Sequence, residues 1–418
     1  MTTLIIIIFV LGYLAIIFEH QIHLDKAAAA LITGVLCWTL LIFEFDHDTV
    51  HDDLYHHFAE ISSILFFLVG AMVIVELIDL NHGFRLILSR IKTRGKRKIF
   101  VILTAVSFVF SAMFDNLTTA IIMASILNKI LEDKKDRWLF AGMVIIAANA
   151  GGAWSPIGDV TTTMLWVGGQ ITTLALIKSI IIPSIVCALI PMFILAPGIN
   201  GNITTPERPR LSPAELTDSR TILFSGIALL LFVPIFKTLT GLPPFMGMFL
   251  SLGILWAITA TLDQKNRNKD NEIHEDWSIF KALEKIDMPS ILFFAGILLA
   301  VGAMQVAGIL DTLSTVLETH LKDQNLIVGV IGMASSIFDN VPLVAALQAM
   351  YDYPVDSSFW HFLAYCAGTG GSLLIIGSAA GVALMGIEKI NFFWYLKRIS
   401  WVALIGYLAG CGVYLLLN

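Results

Sequence analysis

Apolar residues run through this chain in long blocks, not in the two- or three-to-four-residue spacings of a water-soluble domain. Ten blocks are long, at residues 3–18, 27–44, 61–81, 138–168, 171–198, 221–239, 243–262, 289–311, 358–386 and 392–417. A helix needs roughly 20 apolar residues to cross a bilayer core, so each block predicts a membrane span. The opening string MTTLIIIIFVLGYLAIIF lacks the basic segment and small-residue cleavage site of a secretory signal, and reads as a retained first span. Two further apolar segments, 99–128 and 325–350, are each cut near the middle by Phe-Asp-Asn. Their limbs of about 10 to 16 residues are short for full spans and predict re-entrant hairpins.

Composition agrees with a membrane as solvent: 57% of the residues are hydrophobic and only 14% charged, against about 25% charged in soluble domains. The four cysteines, Cys37, Cys187, Cys366 and Cys411, stand singly in apolar segments. Neither a disulfide framework nor a metal knuckle has that spacing, which leaves packing as their role.

The placement of charge says more than its net value of −6. If both cut segments are hairpins, Lys26 and the loops at 85–98, 129–137, 208–220, 265–285 and 389–398 share one side and hold 23 of the 26 Lys and Arg. A crossing first segment would scatter that bias, so the positive-inside rule favours hairpins, with both termini outside. The acidic stretch FEFDHDTVHDDLYHHF then forms an outer loop whose His47, His51, His56 and His57 could bind metal or sense pH. A solvated acidic loop explains the same composition.

The halves echo one another. SSILFFLVGAM (62–72) matches SILFFAGILLA (290–300), SAMFDNLTTAIIMASIL (111–127) matches SSIFDNVPLVAALQAMY (335–351), and NAGGAWSPIGD (149–159) matches GTGGSLLIIGS (368–378). Three blocks in order at nearly constant offset indicate a duplication, and the charge-derived topology makes it inverted. The expected fold is an all-α polytopic membrane protein with about ten transmembrane helices, some discontinuous, and two re-entrant hairpins. Its expected divisions are N-terminal scaffold helices at 1–60, a first repeat at 61–198, linker loops and scaffold helices at 199–288, the core of the second repeat at 289–386 and a C-terminal helix at 387–418. Within the repeats, 149–159 and 368–378 are expected to unwind at their glycines.

Buried acids then suggest the chemistry. Asp115 and Asp339 hold matching positions, each followed by Asn (Asn116 and Asn340) and flanked by about ten uncharged residues on either side. An intramembrane carboxylate costs about 2.5 to 3.5 kcal/mol on insertion scales, so two of them mark function. Helix capping would also account for an Asp at a hairpin tip, although Asn caps without the charge. Asn149, Ser155, Asp159, Thr161 and Thr162 lie near the first unwound segment and Thr369, Ser372 and Ser378 near the second, with Ser335 beside the second hairpin tip. Hard alkali cations prefer such oxygen ligands, although Ser and Thr in membrane helices often just bond to backbone. With three acids and no Lys or Arg in these core segments, the expected pocket carries up to −3 and suits a cation. A carboxylate that holds either a cation or a proton couples the two, and alkaline pH would promote exchange.

The strings FDNLTTAIIMASIL, AANAGGAWSPIGDVTTTMLW, SSIFDNVPLVAAL and CAGTGGSLLIIGSAAGVALMG resemble the NhaD-type sodium/proton antiporters of the ion transporter superfamily, and the surrounding helix pattern extends the resemblance over nearly the whole chain. The resemblance implies export of sodium, with lithium a second candidate ion, in exchange for protons, serving pH and sodium homeostasis. It implies sodium held at Asp115, Asn116, Asp339 and Asn340, with Asn149, Asp159, Thr161 and Thr162 at other important positions. A homodimer in a bacterial inner membrane, elevator motion against a scaffold, and no bound cofactor or nucleic acid complete the expectation.

Metalloid efflux or sodium-coupled anion symport, found in the same superfamily, would call for thiols or basic residues at the unwound segments. An intramembrane aspartyl protease would use Asp159, in Pro156-Ile157-Gly158-Asp159, with Tyr351-Asp352. It explains neither the duplication nor Asp339, so the chain is read as a transporter and not an enzyme.

Overall fold

The computed structural model describes residues 2–88, 93–203, 213–270, 278–321 and 323–418. Among these residues the secondary structure is helical, apart from one isolated bridge between Gly95 and Asn202. Helices satisfy their own backbone groups, which is the condition for standing in lipid. Seven of the described helices are long and apolar enough to cross a membrane, and the chain is a multi-pass membrane protein.

The first half contains α1 (Thr2–Ile17), α2 (Lys26–Ile42), α3 (His47–Leu80), α4 (Lys96–Phe114), α5 (Asn116–Ile130), α6 (Lys134–Ala153), α7 (Val160–Val167) and α8 (Thr173–Leu195). The rest contains α9 (Pro213–Thr240), α10 (Pro244–Asp270), α11 (Met288–Val306), α12 (Ile309–Leu321), α13 (Gln324–Ala334), α14 (Asn340–Met350), α15 (Ser358–Gly370), α16 (Ala379–Glu388) and α17 (Trp401–Leu417). Each half therefore carries a pair of helices broken at Phe-Asp-Asn, α4–α5 and α13–α14, followed by a pair broken at the second motif, α6–α7 and α15–α16.

Two layers follow from the packing. α2 lies along α11 and α1, while α3 contacts α11, α10 and α9. The α2–α11 contact is close because both helices are bare where they cross: a β-carbon on Gly34 would come within 2.6 Å of Gly296 O. α6 packs on α4, α5, α15 and α16, which gathers the broken helices into a second group. Here a β-carbon on Gly151 would overlap the Phe108 carbonyl oxygen, and one on Gly370 the Gly332 carbonyl oxygen. Arg137 at the start of α6 pairs with the buried Glu388 at the end of α16, Nε to Oε2 3.1 Å, and Trp138 Nε1 donates to Glu388 O at 3.0 Å. The four cysteines are free and buried.

Several expectations need correction. Residues 44–58 do not form a loop: Asp46 accepts from Thr49 N at 3.3 Å and starts α3, a 34-residue helix that absorbs all four histidines. An acid at the N-cap and another, Asp48, in the first turn favour helix there. Among the described residues no three His, Cys, Asp or Glu side chains form a metal-holding group. The first cut segment begins at Lys96, so its leading limb is 19 residues long and its length does not argue against crossing. The spans at 138–168 and 358–386 are interrupted within the segments expected to unwind, whereas the one at 289–311 ends at Val306, where Gly308 at φ +68° turns the chain into α12. The basic loops at 85–98, 208–220 and 265–285 fall partly outside the described residues.

The glycine motifs also behave differently from the expectation. Asn149-Ala-Gly-Gly stays helical to Ala153, and the break covers Trp154–Asp159 around Pro156; the second break runs from Gly371 to Ser378. Gly151 and Gly370 admit a neighbouring backbone rather than unwind their own.

Candidate cation site

Each of the four breaks is followed by a helix whose first turn needs partners for its free N–H groups, and in each case a short polar side chain supplies them. Asp115 caps α5: its Oδ1 accepts from Thr118 N at 2.7 Å and its Oδ2 from Thr118 Oγ1 at 2.8 Å. Its backbone sits at φ +91°, a conformation rare for a side-chain-bearing residue, which makes the turn between α4 and α5 abrupt. Asp159 caps α7, its Oδ1 accepting from Thr161 N at 2.9 Å and Thr161 Oγ1 at 2.6 Å. Asp339 caps α14 through Val341 N at 3.2 Å, and Ser378 caps α16 through Gly381 N at 3.2 Å.

These four helix starts face one cavity. Asp115, Asn116, Asp159, Val160, Asp339, Asn340 and Ala379 line it, closed on the other side by Phe67, Met72 and Val75 of α3 and Phe294 of α11. Asp159 and Asn116 are buried, at 2% and 5% exposure, so their polar atoms depend on each other and on whatever enters.

A hydrogen-bonded chain links the halves behind the cavity. Asn116 Nδ2 donates to Asp159 Oδ2 at 2.6 Å and to Asn149 Oδ1 at 3.1 Å. Asn149 Nδ2 in turn donates to Ser372 Oγ and Ser378 Oγ, both at 2.9 Å. One fully buried amide thus joins the start of α5 to the break between α15 and α16. Asn149→Ala leaves at least one buried polar group without its partner, and we expect a loss of about 2 kcal/mol. Thermal unfolding in detergent checks this; an unmoved midpoint would show that the bridge carries no stability.

Other residues expected near the cation lie elsewhere. Thr161 acts on Asp159 and does not line the cavity. Thr162 Oγ1 donates to Ala153 O at 3.4 Å, Ser335 Oγ to Gly332 O at 2.7 Å and Thr369 Oγ1 to Tyr365 O at 2.6 Å. Ser155 Oγ accepts from Ile157 N at 3.4 Å. Backbone groups nearby engage these hydroxyls, carbonyls for Thr162, Ser335 and Thr369 and an N–H for Ser155, the usual fate of Ser and Thr in membrane helices.

Sequence reasoning missed four polar participants. Thr118 holds both oxygens of Asp115 and could have been read from its position three residues after a capping Asp. Thr163 and Ser290 line the cavity. Lys26, expected in a basic loop, also lines it, with Nζ 3.9 Å from Asp339 Oδ2. The expected charge of up to −3 therefore becomes a formal −2, three carboxylates and one ammonium.

The arrangement suits a small ligand held by oxygen, and nearly the whole chain is similar in sequence to known proteins. Residues 13–361 match the family model described as CitMHS, citrate transporter. The chain is 43% identical to Sodium/proton antiporter 1 of Arabidopsis thaliana, over 98% of this chain and 71% of that one. It is 41% identical to Sodium/proton antiporter 2 of the same plant over 98% of both chains. It is 31% identical to the Na(+)/H(+) antiporter NhaD of Vibrio parahaemolyticus, over 91% of this chain and 97% of that one. The matched relatives are transporters by name and run over nearly the whole chain: the chain belongs to the CitMHS family and to the NhaD-type sodium/proton antiporters.

Proposed function

We propose that this protein exchanges sodium for protons, exporting sodium and accepting lithium as a second ion, by competition of cation and proton for Asp115, Asp159 and Asp339. The observation that carries this reading is the convergence of three capping carboxylates on one cavity. Helix N-termini bear partial positive charge and by themselves attract anions. Four of them meet here, and three are capped by a full negative charge, which turns an anion-favouring frame into one that favours a cation. Asn116, Asn149, Asn340 and Thr161 hold the acids in place or offer neutral oxygens, and Ser372 and Ser378 anchor Asn149.

The family description names citrate, and a citrate reading has the four helix ends and Lys26 in its favour. Against it, a tricarboxylate in this cavity would meet three acids and one ammonium. The relatives named sodium/proton antiporters, plant and bacterial alike, support the cation reading whichever membrane holds the chain. We further read the two halves as inverted repeats, the broken helices as a transport core moving against α2, α3 and α11, and the protein as a homodimer.

In proteoliposomes with an imposed pH gradient, addition of sodium should dissipate the gradient, with lithium active as well, and faster at alkaline pH. Citrate should have no effect. Absence of sodium-dependent dissipation would overturn the reading, and citrate uptake would replace it with the anion one.

A further inference from the structure

The three acids of the cavity are not equally occupied. Both oxygens of Asp115 are taken by Thr118, and both of Asp159 by Thr161 and Asn116. Asp339 accepts one hydrogen bond, from Val341 N at 3.2 Å, and its side chain is 24% exposed. Its second oxygen faces Lys26 Nζ at 3.9 Å.

Lys26 is well placed to hold that position. Asp25 caps α2 through Ala27 N at 2.8 Å, which fixes the first turn of the helix and hence the root of the lysine. The ammonium lies over the Phe293 ring, 4.7 Å from its centroid, a contact that steadies a cation without neutralising it. Phe293 belongs to α11, the close partner of α2, whereas Asp339 belongs to the second hairpin. The ion pair therefore crosses from one group of helices to the other, and the ring contact already made by the ammonium remains when the carboxylate is taken.

We propose that Lys26 is an internal counter-ion for Asp339 that competes with the transported cation and so sets its affinity. Sodium reaching Asp339 displaces the ammonium from the carboxylate and leaves it on Phe293; when sodium leaves, Lys26 returns and keeps the carboxylate from standing uncompensated. Lys26 is a positioning and specificity residue, since it binds neither ion. This inference rests on the sodium/proton reading for its physiological meaning, but its physical core is competition for one carboxylate.

The test uses the full-length protein purified in detergent, with thermal unfolding followed against sodium chloride at ionic strength held constant with choline chloride. Removal of the competitor in Lys26→Gln should lower the half-saturating sodium concentration about tenfold, a fraction of the full attraction between unit charges about 4 Å apart. Lys26→Arg keeps the charge and should stay within about twofold of wild type. The double variant Lys26→Gln with Asp339→Asn should match Asp339→Asn alone, because the lysine acts only through that acid. In proteoliposomes Lys26→Gln should lower the sodium KM by the same factor while leaving kcat equal or reduced. Lys26→Met serves if the Gln variant is unstable. A half-saturating concentration that is unchanged or raised in the neutral variants overturns the proposal. Wild-type exchange together with that result defeats the Lys26 role alone, whereas a wild type that binds sodium without exchange defeats the antiport reading and leaves the competition to be decided by the titration.

Discussion

Asp115→Asn and Asp339→Asn should each cut sodium-dependent dissipation of the pH gradient by at least about a hundredfold, in protein that still inserts and purifies normally. Asparagine can accept the hydrogen bonds that these acids now accept from Thr118 N and Val341 N, so the starts of α5 and α14 keep their caps. At position 115 the Thr118 hydroxyl, which now donates to Oδ2, must turn to accept from the new amide; apart from that turn, only the charge disappears. A hundredfold loss corresponds to about 2.7 kcal/mol, less than the full attraction of about 4 kcal/mol between unit charges 4 Å apart at a near-surface dielectric. Capping alone predicts nearly wild-type rates for both variants, so the experiment separates a structural from a functional carboxylate. Wild-type turnover in Asp339→Asn would confine the ion site to the first half, with Asp115 and Asp159 as its acids.

Gly370→Ala should be the most damaging change of a single methyl group in the molecule. The added carbon would overlap the carbonyl oxygen of Gly332, a backbone atom of α13 that has no rotamer by which to yield. Separating the two helices opens the seam beside Ser335, and we expect a loss of about 3 kcal/mol, toward the upper end for overpacking. Gly253→Ala in α10 provides the control, because nothing lies within 4 Å of its added carbon. That change should be neutral or stabilising by up to about 1 kcal/mol from helix propensity. Thermal unfolding of the two variants in the same detergent checks both; equal midpoints would mean that the α13–α15 seam can open freely.

The sequence made the helical membrane architecture legible because lipid imposes a length and an apolarity that no other solvent demands. It made Asp115, Asp159 and Asp339 stand out because charge is rare in such segments. What it concealed was local. A glycine pair in a membrane helix either breaks the helix or bares it for a neighbour, and composition does not distinguish the two; Asn149-Ala-Gly-Gly proved to be the second. An acidic, histidine-rich stretch reads as a loop until its Asp46 is recognised as a cap. Lys26 was hidden by its position at the edge of an apolar block, where a basic residue usually meets water, while tertiary packing turned it onto Asp339 at the start of α14. Hydroxyl groups posed the same difficulty: Thr161 and Thr369 are chemically alike, yet one steadies a cavity acid and the other bonds to its own helix.

The four capped helix starts suggest how such a frame can change its cargo during evolution. Position and direction of the helices are fixed by packing far from the cavity, whereas the sign of the field inside it depends on which short side chain sits at each cap. Ser378 already occupies one cap without charge and still holds its helix. Replacing the three acids with serine or asparagine would reverse the preference of the cavity while leaving every backbone turn intact. Relatives that carry opposite charges need differ at little more than three positions where they touch the ion, and a switch of substrate class can precede any remodelling of the fold.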